Sequence, residues 1–249
     1  MTAPNLNITW CYPDILNLHG DRGNIMALEH VAKLMGVDAP VTRVNDLDDP
    51  IDFEAADILF FNVGEIKSAI AVGRALAPHA DALAAYVNAG KVVFVVGTTV
   101  CAFAEQTTML DGSVEAGLGL LKLSCTEREL VFGDDLIFTA PDYGFDVNGS
   151  EISLVDTHLN PGTTPLGTVR YGRGNDGTKT EGARVKNLFF TNCLGPVLVK
   201  NPWLAEDLLR EALKAKGEKL PERVDTKRYD LELKSMECIK RYNETKGER

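Results

Sequence analysis

The chain has 249 residues, 45% hydrophobic and 25% charged, with a formal net charge of −10 and a pI near 4.9. That length holds one large α/β domain with a full core, and the composition is that of an ordinary globular protein. The acidic balance argues against generic nucleic-acid binding, and no stretch approaches the ~18 consecutive apolar residues of a membrane span.

Residues 6–11 alternate and predict a first strand. A polar loop follows, Tyr12-Pro-Asp-Ile-Leu-Asn-Leu-His-Gly-Asp-Arg-Gly23. Asn24 is placed to cap a helix through Leu34, with Ile25, Leu28, Val31, Ala32 and Met35 along one face and Gly36 as its stop. Residues 41–44 are short and β-like. Residues 57–61 form a buried strand, ending in the turn Asn62-Val63-Gly64. Residues 66–87 are helical, with Pro78 breaking or restarting the helix. Residues 91–96 make another buried strand, followed by the turn Gly97-Thr98-Thr99 and a helix over 100–105. The rhythm predicts a mostly parallel central sheet flanked by helices, which binds ligands at the carboxyl ends of its strands, here the loops 12–23, 62–66 and 97–100.

After residue 110 the pattern changes. Residues 130–138 and 152–155 predict short strands, and the Gly- and Thr-dense stretch 162–182 predicts antiparallel hairpins. A strand over 186–191 ends in Asn192-Cys-Leu-Gly-Pro196. Residues 203–214 form an amphipathic helix, and residues 225–242 a second one with Tyr229, Leu233, Met236 and Ile239 on one face. Charge sets the tail apart: residues 1–210 carry 15 Lys and Arg against 27 Asp and Glu, whereas 211–249 carry 11 against 9. With no repeat and no low-complexity linker, one domain over 1–249 is expected, with 217–249 as a helical extension.

The strand–turn–helix unit at 91–105 is where several hydrolytic folds carry a nucleophile, yet its turn residue, Gly97, has no side chain. Cys101, one helical turn later, reads as a buried thiol or a displaced nucleophile. Cys193, at the end of a late strand, reads the same two ways. With Cys11, Cys125 and Cys238 they form no C-x-x-C pair, so reduced thiols, a cytoplasmic setting and no metal site are expected. There is no P-loop, so no nucleotide or other cofactor is expected on this chain. His19, near Asp14, Asn17, Asp21 and Arg22 in the opening loop, reads as a solvated residue or as a ligand or partner contact. Arg128 could hold a carboxylate bidentately or form a surface ion pair with a neighbouring Glu. His30, His79 and His158 read as structural.

Several segments together resemble one family. They are the opening Tyr12-Pro-Asp-Ile-Leu-Asn-Leu-His-Gly-Asp-Arg-Gly-Asn-Ile25, Gly117-Leu-Gly-Leu-Leu121, Tyr171-Gly-Arg-Gly-Asn-Asp176 with Glu181-Gly182 and Lys186-Asn187, and Gly195-Pro-Val-Leu-Val-Lys-Asn201. From about residue 8 to about 215 the chain resembles the GatD proteins, glutaminase subunits of lipid II isoglutaminyl synthase, within the CobB/CobQ-type class I glutamine amidotransferases. The resemblance implies that α/β fold and a MurT-like, ATP-binding Mur ligase as partner in a heterodimer serving peptidoglycan synthesis. It places the family's cysteine at Gly97 and its histidine at Leu194. Its oxyanion loop falls at Asn62-Val63-Gly64, of which only the last glycine is kept, and its Asn-His-Gly-Gly loop at Val147-Asn-Gly-Ser150. The substrate arginine falls near Leu130, or at Arg128. The expectation is therefore a catalytically inactive subunit with no catalytic residue. Its relic pocket would comprise Asn62, Val63, Gly64, Gly97, Thr98, Arg128, Cys193 and Leu194. A partner or ligand loop would comprise Asp14, Asn17, His19, Asp21 and Arg22. The alternatives are an active glutaminase using Cys193 or Cys101, and a small-molecule-binding domain.

Overall fold

A computed structural model describes residues 4–141 and 144–247. In chain order the first half contains β1 (Ile8–Cys11), α1 (Gly23–Leu34), β2 (Val41–Val44), β3 (Ile58–Phe61), α2 (Ile66–Leu76), α3 (Ala80–Asn88), β4 (Val92–Val96) and α4 (Val100–Phe103). The second half contains β5 (Gln106–Thr108), β6 (Val114–Ala116), β7 (Leu123–Ala140), β8 (Phe145–Leu159), β9 (Gly167–Tyr171), β10 (Thr180–Glu181), β11 (Ala183–Val185), β12 (Leu188–Thr191) and β13 (Cys193–Leu194). It ends with the helices α5 (Val197–Lys200), α6 (Pro202–Lys216) and α7 (Asp230–Gly247).

The central sheet runs β11-β12-β4-β3-β1-β2 and is parallel except for β11. Its two central strands, β3 and β4, are apolar at every position because helices cover both faces. Alternation sends Ile8, Phe60, Phe94 and Phe189 toward α1 and α6, and Leu59, Phe61, Val93 and Phe190 toward α2, α3 and α4. Phe60 stacks on Phe94 at 6.0 Å on the first face, and Phe61 meets Phe103 edge-on at 5.0 Å on the second. The expected face of α1 is buried throughout, from Leu28 at 0% exposure to Met35 at 7%.

A second sheet, β10-β9-β7-β5-β6, carries β8 and β13 on the other edge of β7. Residues 130–138 and 152–155 do not stay short strands: β7 and β8 pair from Leu123 opposite Leu159 to Ala140 opposite Phe145. The charged run at 127–129 hides this in the sequence. It sits in an irregularity between Glu127 and Phe132, where the alternation breaks. The hairpin expected within 162–182 is β9 with β10. The helix expected over 66–87 divides at Pro78 into α2, a 3₁₀ turn and α3. Asn24 does not cap α1. Arg22 occupies that position, and the Asn24 amide oxygen accepts the Leu198 backbone N–H at 2.8 Å. Gly217 ends α6 in the left-handed conformation at φ +75°, which glycine adopts without a Cβ penalty. The tail packs back on its own chain, with Tyr229 and Met236 buried, while Leu233 stays 40% exposed.

Candidate functional site

The carboxyl ends of β1, β3, β4 and β12 meet at one edge of the central sheet. Gly97, directly after β4, holds φ +61°, in the left-handed region that a sharp strand-to-helix turn demands. A Cβ there would lie 2.7 Å from Val63 Cγ2, 3.1 Å from Val63 Cβ and 3.2 Å from Leu194 Cδ2. The place where a nucleophile's side chain would stand is therefore filled by two apolar residues, both at or near zero exposure.

The surrounding backbone is tied down as tightly. The Thr98 hydroxyl donates to the Gly64 carbonyl, and the Thr99 hydroxyl to the Asn62 carbonyl at 2.6 Å. The Leu18 N–H donates to the Val63 carbonyl at 3.1 Å, and a Cβ on Gly64 would strike Leu16 Cδ2 at 2.6 Å. Leu16 and Leu18 belong to the opening loop, which thus lies over the 62–64 turn. Asn62 is fully buried, and both its amide atoms lack a hydrogen-bond partner among the described residues. Gly97, Val63, Leu194, Thr98, Asn62 and Gly64 come together as the sequence placed them, but as a packed junction rather than a cavity.

Cys193 is buried beside them. A Cβ on Gly149 would strike its Sγ, so the β8 backbone covers the thiol, and burial together with the nearby Glu181 carboxyl pushes its pKa well up. Cys101, 3% exposed, shares a hydrogen bond with Cys125; that bond lowers Cys101 and raises Cys125. Neither thiol combines thiolate character with access. Arg128 stands apart from the junction. Its guanidinium grips Asp156 of β8 at 2.8 and 3.0 Å, and Arg173 binds the same carboxylate at 3.0 and 3.1 Å. Its partner is a residue 28 positions away, not a neighbouring glutamate.

The opening loop divides into two sets. Asp14, Asn17, His19 and Arg22 are exposed, with Asp14 3.8 Å from Arg43. Asp21 is fully buried and accepts the Gly195 N–H at 3.0 Å; burial raises its pKa to about 6 against the opposing pull of that bond and of Lys200. With Asn24 bonded to Leu198, and Gly23 so close to Pro196 that a Cβ would lie 2.6 Å from its ring, the loop and the 195–201 segment clasp each other.

Sequence reasoning missed a buried polar network behind this edge. Glu181 accepts from Thr191 Oγ1 at 2.7 Å, from Asn192 N at 2.8 Å and from Asn192 Nδ2 at 3.0 Å. Asn175 joins Asn192 at 2.9 Å. Glu151 accepts the N–H groups of Arg173 and Gly174, both at 3.1 Å; burial and then the Glu181 charge raise its pKa to about 7. Several of its members appeared in the sequence within the segments 171–176 and Glu181-Gly182, which carry no periodic pattern. Among the described residues no group of three His, Cys, Asp or Glu side chains could hold a metal ion, and no helix is long and apolar enough to cross a membrane.

The fold is that of the class I glutamine amidotransferases. A crystal structure of a glutamine amidotransferase superposes with a TM-score of 0.54 at 17% identity, covering 82% of this chain and 98% of that one. PurLQS from Thermotoga maritima superposes at 0.50 with 14% identity, over 86% and 99%. No family model matches the chain. Over 213 residues it is 30% identical to the lipid II isoglutaminyl synthase (glutamine-hydrolyzing) subunit GatD of Streptococcus pneumoniae (strain ATCC BAA-255 / R6), covering 85% of this chain and 82% of that protein. Over 209 residues it is 31% identical to the GatD subunit of Staphylococcus aureus (strain N315), covering 82% and 83%. The chain belongs to the GatD family.

Proposed function

We propose that this chain is a GatD-like subunit without glutaminase chemistry, partnering a MurT-like Mur ligase in the cytoplasmic amidation of a peptidoglycan precursor. One observation carries the inactivity: Val63 and Leu194 occupy the space that any side chain at Gly97 would need. Thiol attack on an amide requires a nucleophile, a base that takes its proton and donors aimed at the oxyanion. Gly97 supplies no nucleophile, Leu194 no base, and Asn62-Val63 present a filled turn. Losing a nucleophile alone costs several orders of magnitude in rate. The partner ligase, which binds ATP, would then draw on free ammonia or another donor. Membership in a family of enzyme subunits supports the partnership.

The test is glutamine hydrolysis by the purified chain, alone and with a MurT-like ligase, followed by amidation of lipid II with ammonium or glutamine as donor. The expected result is co-purification, no hydrolysis above blank, and amidation that ammonium supports and glutamine does not. Hydrolysis that disappears in Cys193→Ser or Cys101→Ser would sink the proposal in favour of a displaced thiol.

A further inference from the structure

The junction at Gly97 is closed, but the molecule has an open cavity elsewhere. Helix α7 crosses the second sheet and leaves beneath it a space of about 380 Å³, within the range of small-ligand pockets. Ile137 and Tyr171 form part of its wall, and its polar lining is Asp146, Arg170, Lys240, Asn243 and Glu244.

Three features of this lining point to a ligand. First, Asn243 is 4% exposed, yet among the described residues neither its Nδ2 nor its Oδ1 has a hydrogen-bond partner. A buried amide left unpaired is costly and uncommon, and the adjoining cavity is where a partner can enter. Secondly, the charges balance: Arg170 and Lys240 against Asp146 and Glu244. Such a lining disfavours a simple anion or cation and suits a molecule carrying both signs. Thirdly, the charges are not all spent on one another. Asp146 takes Lys240 at 3.0 Å and the Thr139 hydroxyl at 2.6 Å and also feels the Arg170 charge, whereas among the described residues the Arg170 guanidinium makes one hydrogen bond, Nε to Thr139 Oγ1 at 3.1 Å. A carboxylate can therefore pair with Arg170 and an ammonium with the exposed Glu244.

We infer that the cavity under α7 binds a free α-amino acid, with Arg170 taking the carboxylate, Glu244 the ammonium and Asn243 the side chain. Asn243 offers one donor group and one acceptor, so a side chain ending in a carboxamide pairs with it reciprocally. None of the residues lining this cavity lines the junction at Gly97.

The experiment is a thermal-shift and calorimetric titration of the full chain with L-asparagine, L-glutamine, L-glutamate and L-alanine. Acetate and methylammonium serve as single-charge probes. A ligand that binds only the folded state raises the melting temperature. The amino acids should do so, the carboxamides most, and the single-charge probes should not. Asn243→Leu should melt no lower than wild type and bind the carboxamides about tenfold more weakly, the order expected for lost buried hydrogen bonds. Arg170→Gln, at an exposed position, should weaken all four amino acids alike. No shift with any amino acid overturns the inference, as does binding that survives both substitutions, or equal binding of acetate. A melting temperature of Asn243→Leu well below wild type would mean that the amide is already paired, and would overturn it too.

Discussion

Substituting Gly97 with alanine probes whether the junction is as full as its geometry says. Two costs add. The left-handed φ of +61° disfavours any Cβ by about 1–2 kcal/mol. The new methyl would also press on Val63 Cγ2 at 2.7 Å and Leu194 Cδ2 at 3.2 Å; overpacking of this kind costs about 1–3 kcal/mol. Gly97→Ala should therefore lose about 2–5 kcal/mol in urea unfolding followed by circular dichroism, with an unchanged slope. The two terms separate in a double-mutant cycle with Val63→Ala. That background removes the sharpest contact, so the cost of Gly97→Ala should fall to little more than the backbone term, a coupling of about 1–3 kcal/mol. Gly97→Cys alone should be destabilised in the same way and gain no glutaminase activity. Gly97→Ala within about 0.5 kcal/mol of wild type, or additivity with Val63→Ala within the same margin, would refute a filled junction.

Glu151 ties stability to pH. Its carboxyl titrates at about 7 in the folded chain against 4.5 ordinarily, so its contribution is fully present below pH 4.5 and is lost as pH rises through 7. The difference amounts to about 3 kcal/mol. Glu151→Gln, neutral throughout, should lack that slope, and its stability relative to wild type should rise between pH 5 and pH 8; a constant difference would speak against it. Asn24→Ala removes the acceptor for the Leu198 N–H and should cost about 1 kcal/mol in the same melts. Substituting the exposed Asp14, Asn17, His19 and Arg22 together with alanine should lower the melting temperature by no more than several degrees, since each surface change is mostly within about 0.5 kcal/mol and the four together within about 2 kcal/mol. The same variant should weaken co-purification of the ligase; full retention would place the partner surface elsewhere. Arg128→Ala should cost about 1 kcal/mol through the Asp156 pair and leave ammonium-supported amidation unchanged.

The parallel sheet was legible because strands buried on both faces carry continuous apolar runs, as at 57–61 and 91–96, and because α1 and α6 bury clean stripes. The empty turn at Gly97 was legible for a different reason: a missing side chain can be read without knowing its neighbours. What fills it could not be, since Val63 and Leu194 come from strand ends 131 positions apart and meet only through the strand order. The β7–β8 hairpin was hidden because Arg128 and Asp156 satisfy each other across the strands, so charges that read as a loop belong to a sheet.

The clasp between Asp21, Asn24, Gly195 and Leu198 changes the weight of the likeness itself. The opening segment and the 195–201 segment resemble GatD proteins more specifically than the rest of the chain, and on the proposed loss of glutaminase chemistry such retained loops suggest a retained partner. The structure gives a second reason for preserving them. Asp21 and Asn24 are buried and spent on backbone N–H groups of the facing segment, so each segment requires the other for the sheet edge to close, whatever the chain binds. Only the residues of this loop that face outward, Asp14, Asn17, His19 and Arg22, owe nothing to that closure. A partner would therefore be met by four side chains rather than by fourteen residues of motif, on a surface beside the junction rather than at the junction.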